Sequence, residues 1–301
     1  RLGISPRDGT KAMGLTVKDN LLRAIAHDHP EHVPYFAEDS IQGLDYSGAM
    51  PPEEGVDIWG VRWEPTRSDL LSCPVGHPVQ TVEELATYPF PDPHAPGLFD
   101  DARAKIDREH YLTIGRHILA LFERYKALCG IENALLWMLE YREQVTSFFE
   151  RLADWHVAIA DGYIGVGVEA GRISDDYGSQ RDLLMSPRTW RNTIKSALAR
   201  IVQRYKEADR LVFLHSCGNI MRIMADLVEI GIDVFNIQTS ANDLPALKRR
   251  FGQRITFMGG VDTQQVMSFG TPDQVRQATL EAIRQLGPGG ARVSGQGPAG
   301  L

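Results

Sequence analysis

The pattern of apolar and polar positions changes character near residue 111. Before it, Leu21, Leu22, Ile25 and Ala26 fall on one face of a helix predicted over residues 15–30, with Pro30 after its end. Val33-Pro34-Tyr35-Phe36 is a short apolar stretch that predicts the first strand. Residues 45–100 are rich in Pro, Gly and Asp, hold one aromatic strand candidate, Ile58 to Trp63, and otherwise predict loops. An irregular stretch of that length inside a compact domain is usually functional. From Tyr111 onward, strand and helix patterns alternate. The strands are Tyr111 to Arg116, Gly171 to Asp176, Leu211 to Leu214, Asp233 to Gln238, Ile255 to Met258 and Arg292-Val293. Helical periodicity covers 119–129, 142–166, Pro187 to Glu207, Ile220 to Ile230, Leu244 to Phe251 and Pro272 to Leu286.

Strict alternation builds a parallel sheet with helical crossovers. With the two early candidates the strands number eight, which predicts a single-domain α/β fold, a (β/α)8 TIM barrel, rather than an open doubly wound sheet. Against the open sheet, no glycine-rich phosphate loop follows an early strand, and Gly165, Gly167 and Gly171 lie at the end of a helix. Residues 1–14 read as a polar leader and 15–301 as the barrel, with an irregular insertion at 45–100. The run Ser294 to Leu301 stands where a barrel carries its closing helix, so that helix is expected to be missing or atypical.

Composition narrows the partners. The formal charge of −7 comes without a basic stripe, which argues against nucleic acid and anionic membranes. No apolar run is long enough to cross a bilayer. Cysteines at 73, 129 and 217 cannot form a disulfide framework, so reduced thiols in the cytoplasm are expected.

Barrel enzymes place their chemistry at the C-terminal ends of the strands. There, residues i and i+2 share a face. His215 and Cys217 lie two apart at the end of one strand, before Gly218 and the N-cap candidate Asn219 of a helix expected from Ile220. The positive end of that helix is expected to favour the Cys217 thiolate, and imidazole plus thiolate is half of a zinc site. A bare H-x-C is weak evidence, and the bland alternative is a buried Cys beside a hydrogen-bonded His; the strand-mouth position favours the metal. Cys73 and Cys129 read as ordinary thiols, so a third ligand must come from another strand end. Parity sends Ser174 and Asp176 inward and Ile173 outward. Asp176 is then a ligand or substrate contact, or else a turn cap. Asn236 and Gln238 share a face and either orient a polar ligand or satisfy each other. Asp262 falls in line with Thr256, Met258 and Gly260, or caps the next segment. His117, grouped with Thr113 and Gly115, is a ligand candidate, though a lone His is more often structural.

The ordered set Asp175-Asp176-Tyr177-Gly178-Ser179-Gln180-Arg181, Leu184-Met185-Ser186-Pro187, His215-Ser216-Cys217-Gly218-Asn219 and Met258-Gly259-Gly260-Val261-Asp262-Thr263-Gln264 resembles the uroporphyrinogen decarboxylase superfamily, and more narrowly its cobalamin-dependent methyltransferase and O-demethylase branch. The resemblance covers roughly residues 15–293. It implies a (β/α)8 fold and zinc on His215 and Cys217, with a later cysteine near Ser294 to Gly297, where this chain has none. Gln238 stands where a more distant zinc methyltransferase group has a glutamate. The arginine-rich N-terminal motif of the true decarboxylases is missing between residues 30 and 50, where Glu38 and Asp39 would repel a polycarboxylate.

The expected activity is methyl transfer between a small methyl ether or thiol and a corrinoid, methylcobalamin, carried by a partner protein. Asp176 and Asp262 take catalytic roles. Gln238, Asn236, His117, Tyr177 and Trp59 contact substrate, with Trp63 and the 45–100 region covering the mouth. A homodimer fits this expectation. Two alternatives stand beside it: a metal-free tetrapyrrole decarboxylase in which Asp176 stabilises a protonated pyrrole, and a non-catalytic corrinoid- or tetrapyrrole-binding protein.

Overall fold

The computed structural model describes residues 14–35, 40–66, 72–287 and 292–293, the last pair by backbone alone. Seven strands form one parallel sheet in chain order: β1 (Ile41–Leu44), β5 (Leu112–His117), β6 (Ala170–Ser174), β7 (Leu211–Ser216), β8 (Val234–Ile237), β9 (Thr256–Met258) and β10 (Arg292–Val293). Each neighbours the next along the chain, which is the order of a barrel and not of a doubly wound sheet. The first sheet strand is therefore Ile41–Leu44 and not the 33–36 stretch, of which only Tyr35 makes a bridge and Phe36 lies outside the described residues. The Ile58 to Trp63 candidate is corrected too. Its end joins β3 (Arg62–Pro65), which pairs antiparallel with β2 (Gly55–Val56) and β4 (Ser72–Gly76) in a separate small sheet. Both the 1–13 leader and the Ser294 to Leu301 tail lie outside the described residues.

The two faces of the large sheet bury different things. Leu112, Ile114, Ala170, Phe213 and Val234 form an enclosed apolar cluster with Leu21, which is how side chains fill the inside of a barrel. Leu21 comes from α1 (Val17–Ile25), whose end is held when Thr256 Oγ1 on β9 donates to Ile25 O at 3.2 Å. On the other face Ile173, Val212, Leu214, Phe235 and Phe257 join the larger core beneath the helices. That core is dominated by α6 (Arg142–Val166), which buries Val145, Phe148, Phe149, Leu152, Trp155, Ile159 and Tyr163 at helical spacing and ends on Gly167 at φ +99°.

The remaining helices follow local signals. α4 (Phe122–Cys129) breaks at Gly130 into α5 (Ile131–Glu140), which the periodicity had not marked. The helix expected over Pro187 to Glu207 is two, α7 (Pro187–Thr193) and α8 (Lys195–Glu207), the first capped by Ser186. α10 (Leu244–Phe251) and α12 (Pro272–Leu286) fall where expected, capped by Asp243 and by a Thr271–Gln274 capping box. Between α1 and α4 the 45–100 region also holds the short helix α2 (Glu84–Thr87), and α3 (Asp100–Lys105) follows it. Among the described residues no helix is long and apolar enough to cross a membrane.

The small sheet is fastened by a buried ion pair. Asp57 and Arg124 meet at 2.7 Å with 2% of each side chain exposed. Asp57 also accepts from Trp59 N, Val61 N and Trp63 Nε1. Its carboxylate oxygens are thus supplied with donors from both the backbone and side chains.

Candidate metal centre

Strands β6 and β7 run side by side with Ser174 in register with His215, so the loops that leave them also meet. Gly178 and Gly218 lock those loops. Gly218 sits at φ +78°, and a Cβ there would lie 2.1 Å from the carbonyl carbon of Gly178. Only two glycines permit so close an approach of backbones. Gly178 N then donates to Cys217 O at 3.2 Å, and Asn219 N donates to Ser179 O at 2.7 Å.

The lock brings three donor atoms together. Asp176 Oδ1 accepts from Cys217 N at 2.7 Å. His215 Nε2 lies 3.4 Å from Cys217 Sγ and 3.7 Å from Asp176 Oδ1. All three ligand atoms lie within 4.8 Å of one another. Ligands held about 2.0–2.3 Å from a tetrahedral zinc are separated by roughly 3.3–3.8 Å. The separations from His215 and the chemistry of the imidazole, thiol and carboxylate suit zinc, and three protein ligands would leave one position for a small molecule. Asp176, at the end of the neighbouring strand, is the candidate third ligand.

Burial lowers the basicity of His215, with Asp176 opposing and Arg172 adding to the effect, so the ring stays neutral as a metal ligand must. Burial, and then the Asp176 carboxylate, push the Cys217 thiol well above its ordinary value. The expected help from a helix at Ile220 does not materialise: residues 221–223 form a turn, and α9 (Met224–Glu229) begins later without a side-chain cap. A bound cation, not a helix end, is what would draw off the thiol proton.

The other expected residues divide. Gln238 is at the mouth, where its Oε1 accepts from Gly218 N and steadies the loop that carries Cys217. Asn236 faces inward and donates from Nδ2 to Met258 O at 3.3 Å. Asp262 caps its own turn, accepting from Gln264 N and Gln265 N, and does not join the donor cluster. His117 lies on the helix-facing side of β5, fully buried against His156 and Tyr205. Tyr177 is fully buried against Trp190, and Trp59 packs edge-on against Trp155 at 4.7 Å beneath Arg124, so neither faces the lumen. Cys129 is buried in α4, Cys73 lies on β4, and neither joins the cluster.

Two acids carry roles that the sequence pattern did not mark. Asp175, facing away from Asp176, accepts from Phe122 N and Glu123 N and so fixes the start of α4. That places Glu123, ion-paired with Lys126, in the electrostatic field of Cys217. Burial pushes the Glu123 carboxyl up to about 7, with Lys126 opposing. Glu123 and Lys126 also line a cavity of about 540 Å³ walled by Pro51, Trp63, Pro74, Ile118 and Leu119.

Comparison with known proteins agrees with this architecture. Residues 77–294 match the family model "Uroporphyrinogen decarboxylase (URO-D)". A methylated-thiol–coenzyme M methyltransferase of Methanosarcina mazei is 27% identical over 220 residues, 70% of this chain and 57% of the relative. Methylcobamide:CoM methyltransferase MtaA of Methanosarcina barkeri is 24% identical over 161 residues, 52% of this chain and 44% of the relative. The chain thus spans about half the length of the curated relatives it matches. The solved structure of a methyltransferase from Methanosarcina mazei superposes with a TM-score of 0.71 at 16% identity, covering 95% of both chains. The curated relatives it matches are methyltransferases, and the chain itself belongs to the uroporphyrinogen decarboxylase family.

Proposed function

We propose that the protein is a zinc-dependent methyltransferase that moves a methyl group between a small methyl ether or thiol and a corrinoid carried by a separate protein. The observation that carries this is the convergence of Asp176, His215 and Cys217 within 4.8 Å at the ends of β6 and β7. The activities of the two methyltransferase relatives support it.

His215, Cys217 and Asp176 would hold the metal, which when bound supplies a Lewis acid able to stabilise a thiolate or polarise an ether oxygen. The chain's own groups set the geometry. Cys217 N–H fixes the Asp176 carboxylate, and Gln238 fixes Gly218 N–H, so the donors are aligned before substrate arrives. Glu123, with a carboxyl near neutrality, is suited to accept the proton that a thiol acceptor releases. Trp63, Ile118 and Leu119 offer the apolar wall against which a methyl donor can be kept from water.

Metal analysis of the purified protein tests this directly. About one zinc per chain is expected in wild type and close to none in Cys217→Ala. Methyl transfer from methylcobalamin to a thiol should vanish on chelation and return with zinc. Full activity in metal-free protein would end the proposal.

A further inference from the structure

The loop after β8 grips the backbone that carries Cys217. Gly218 follows Cys217 directly, is buried, and at φ +78° lies outside any strand or helix, so its N–H and C=O need partners from elsewhere. Two side-chain amides supply them. Gln238 Oε1 accepts from Gly218 N, and Asn242 Nδ2 donates to Gly218 O at 2.9 Å. The same Nδ2 donates to Gln238 O at 2.8 Å, and Asn242 Oδ1 accepts from Ile220 N at 3.2 Å. One amide group therefore uses its nitrogen and its oxygen on three backbone groups, tying the loop after β7 to the loop after β8. Two carbonyl oxygens on one side and an N–H on the other fix which way the amide points. Asn242 is itself held in place: a short 3-10 turn, Thr239–Ala241, precedes it, and Asp243 caps α10 directly after it by accepting from Ala246 N at 2.9 Å.

The loop held in this way carries the sulfur. Cys217 N donates to Asp176 Oδ1, and Cys217 O accepts from Gly178 N. With Gly218 and Ile220 also fixed, the backbone is pinned on both sides of the Cys217 Cα. Ligands must be held to within about 0.5 Å for a site to keep its geometry. We propose that Asn242 is a positioning residue for the metal centre: without reaching the ion, it sets where Cys217 Sγ stands relative to His215 and Asp176. That the positioned sulfur is a metal ligand rests on the zinc proposal; the grip on the loop does not. The chemistry of the side chain is specific. Aspartate has the same shape but would set an oxygen against the Gly218 and Gln238 carbonyls, and alanine would leave all three backbone groups without their partner.

The test combines hydrogen exchange of the metal-free protein with a Co2+ titration, in which the thiolate-to-metal absorption band reports the sulfur bond directly. In wild type the Gly218 and Ile220 amides should be protected. Asn242→Ala should speed exchange in segment 217–220 by at least ~10-fold while α6 is unchanged. It should also weaken Co2+ binding by ~10-fold, with a weaker or shifted thiolate band. Asn242→Asp should do at least as much, which a role in merely filling space would not produce. The exposed helix variant Gln203→Ala should match wild type in both readouts. Unprotected Gly218 and Ile220 amides in wild type would overturn the grip even if the variants do not fold. Co2+ bound by both Asn242 variants with wild-type affinity and spectrum would overturn the positioning role and leave the zinc reading intact. No Co2+ bound by wild type, with exchange still faster in the variants, would instead end the zinc reading and the positioning of a ligand with it.

Discussion

His117 on β5 and His215 on β7 are both buried, on opposite faces of the same sheet, and their neighbours use them in opposite ways. On the helix-facing side the hydrogen bonds close on themselves. His156 Nε2 donates to Ala120 O at 3.0 Å, which leaves its Nδ1 to accept from His117 Nδ1 at 3.0 Å. His117 Nε2 then accepts from Tyr205 Oη at 2.7 Å. Every nitrogen has one complementary partner, and both rings are neutral. On the lumen side, His215 Nε2 faces a sulfur and a carboxylate oxygen at 3.4 and 3.7 Å. These three atoms form a candidate metal-ligand group, in which the thiol keeps its proton until a cation displaces it. Burial alone therefore does not distinguish a structural histidine from a ligand; the chemistry of its neighbours does.

Breaking each cluster should have different consequences. The largest effect belongs to the open one: His215→Ala or Cys217→Ala should lower zinc affinity by more than ~100-fold, because losing a direct ligand exceeds the 10–100-fold typical of outer partners. Thermal stability of the metal-free protein should change little, and isothermal titration with zinc checks the first part. Asp176→Asn should fall between, weakening zinc by ~10–100-fold while keeping the bond from Cys217 N.

The closed cluster should respond in stability instead. His117→Ala leaves His156 Nδ1 and the Tyr205 hydroxyl unpaired beside a cavity, at about 2–4 kcal/mol in denaturant unfolding, with metal content unchanged. Metal loss in His117→Ala without loss of stability would erase the contrast.

The pH dependence sharpens it further. Burial lowers His156 to about 4 from an ordinary 6.5. The unfolded chain then takes up a proton below about pH 6.5 that the folded ring refuses until about pH 4. This contribution to stability is complete above pH 6.5 and is lost, by roughly 3 kcal/mol, as pH falls toward 4. His156→Gln should flatten that part of the curve; an unchanged slope would mean that another group controls it. The smallest effect is expected for Gln238→Ala, which removes one acceptor from Gly218 N and should cost about 1 kcal/mol with a several-fold loss in zinc affinity.

The regular second half of the chain was legible because each strand there is short and separated from the next by a helical segment with its own periodicity. Parity on β6 sent Asp176 inward and Ile173 outward, and the coordinates agree. Early strands were harder. Ile41–Leu44, read Ile-Gln-Gly-Leu, has little hydrophobic pattern of its own and becomes a strand by pairing with Leu112 to Gly115. The Ile58 to Trp63 run has the right composition but serves a hairpin pinned by Asp57 and Arg124. Parity also placed His117 beside Thr113 and Gly115, yet which face was the lumen could not be read from that strand.

By itself the sequence determined the alternating α/β order, the caps at Ser186, Asp243 and Thr271, and the shared orientation of His215 and Cys217, because all of these depend on residues a few positions apart. Only the tertiary structure decided that Asp176 joins His215 and Cys217, that Asp175 anchors α4, and that Arg116 pairs with Asp45. Those outcomes depend on which loops interlock and which charges neighbour one another across strands, and such distances are fixed by packing rather than by spacing along the chain.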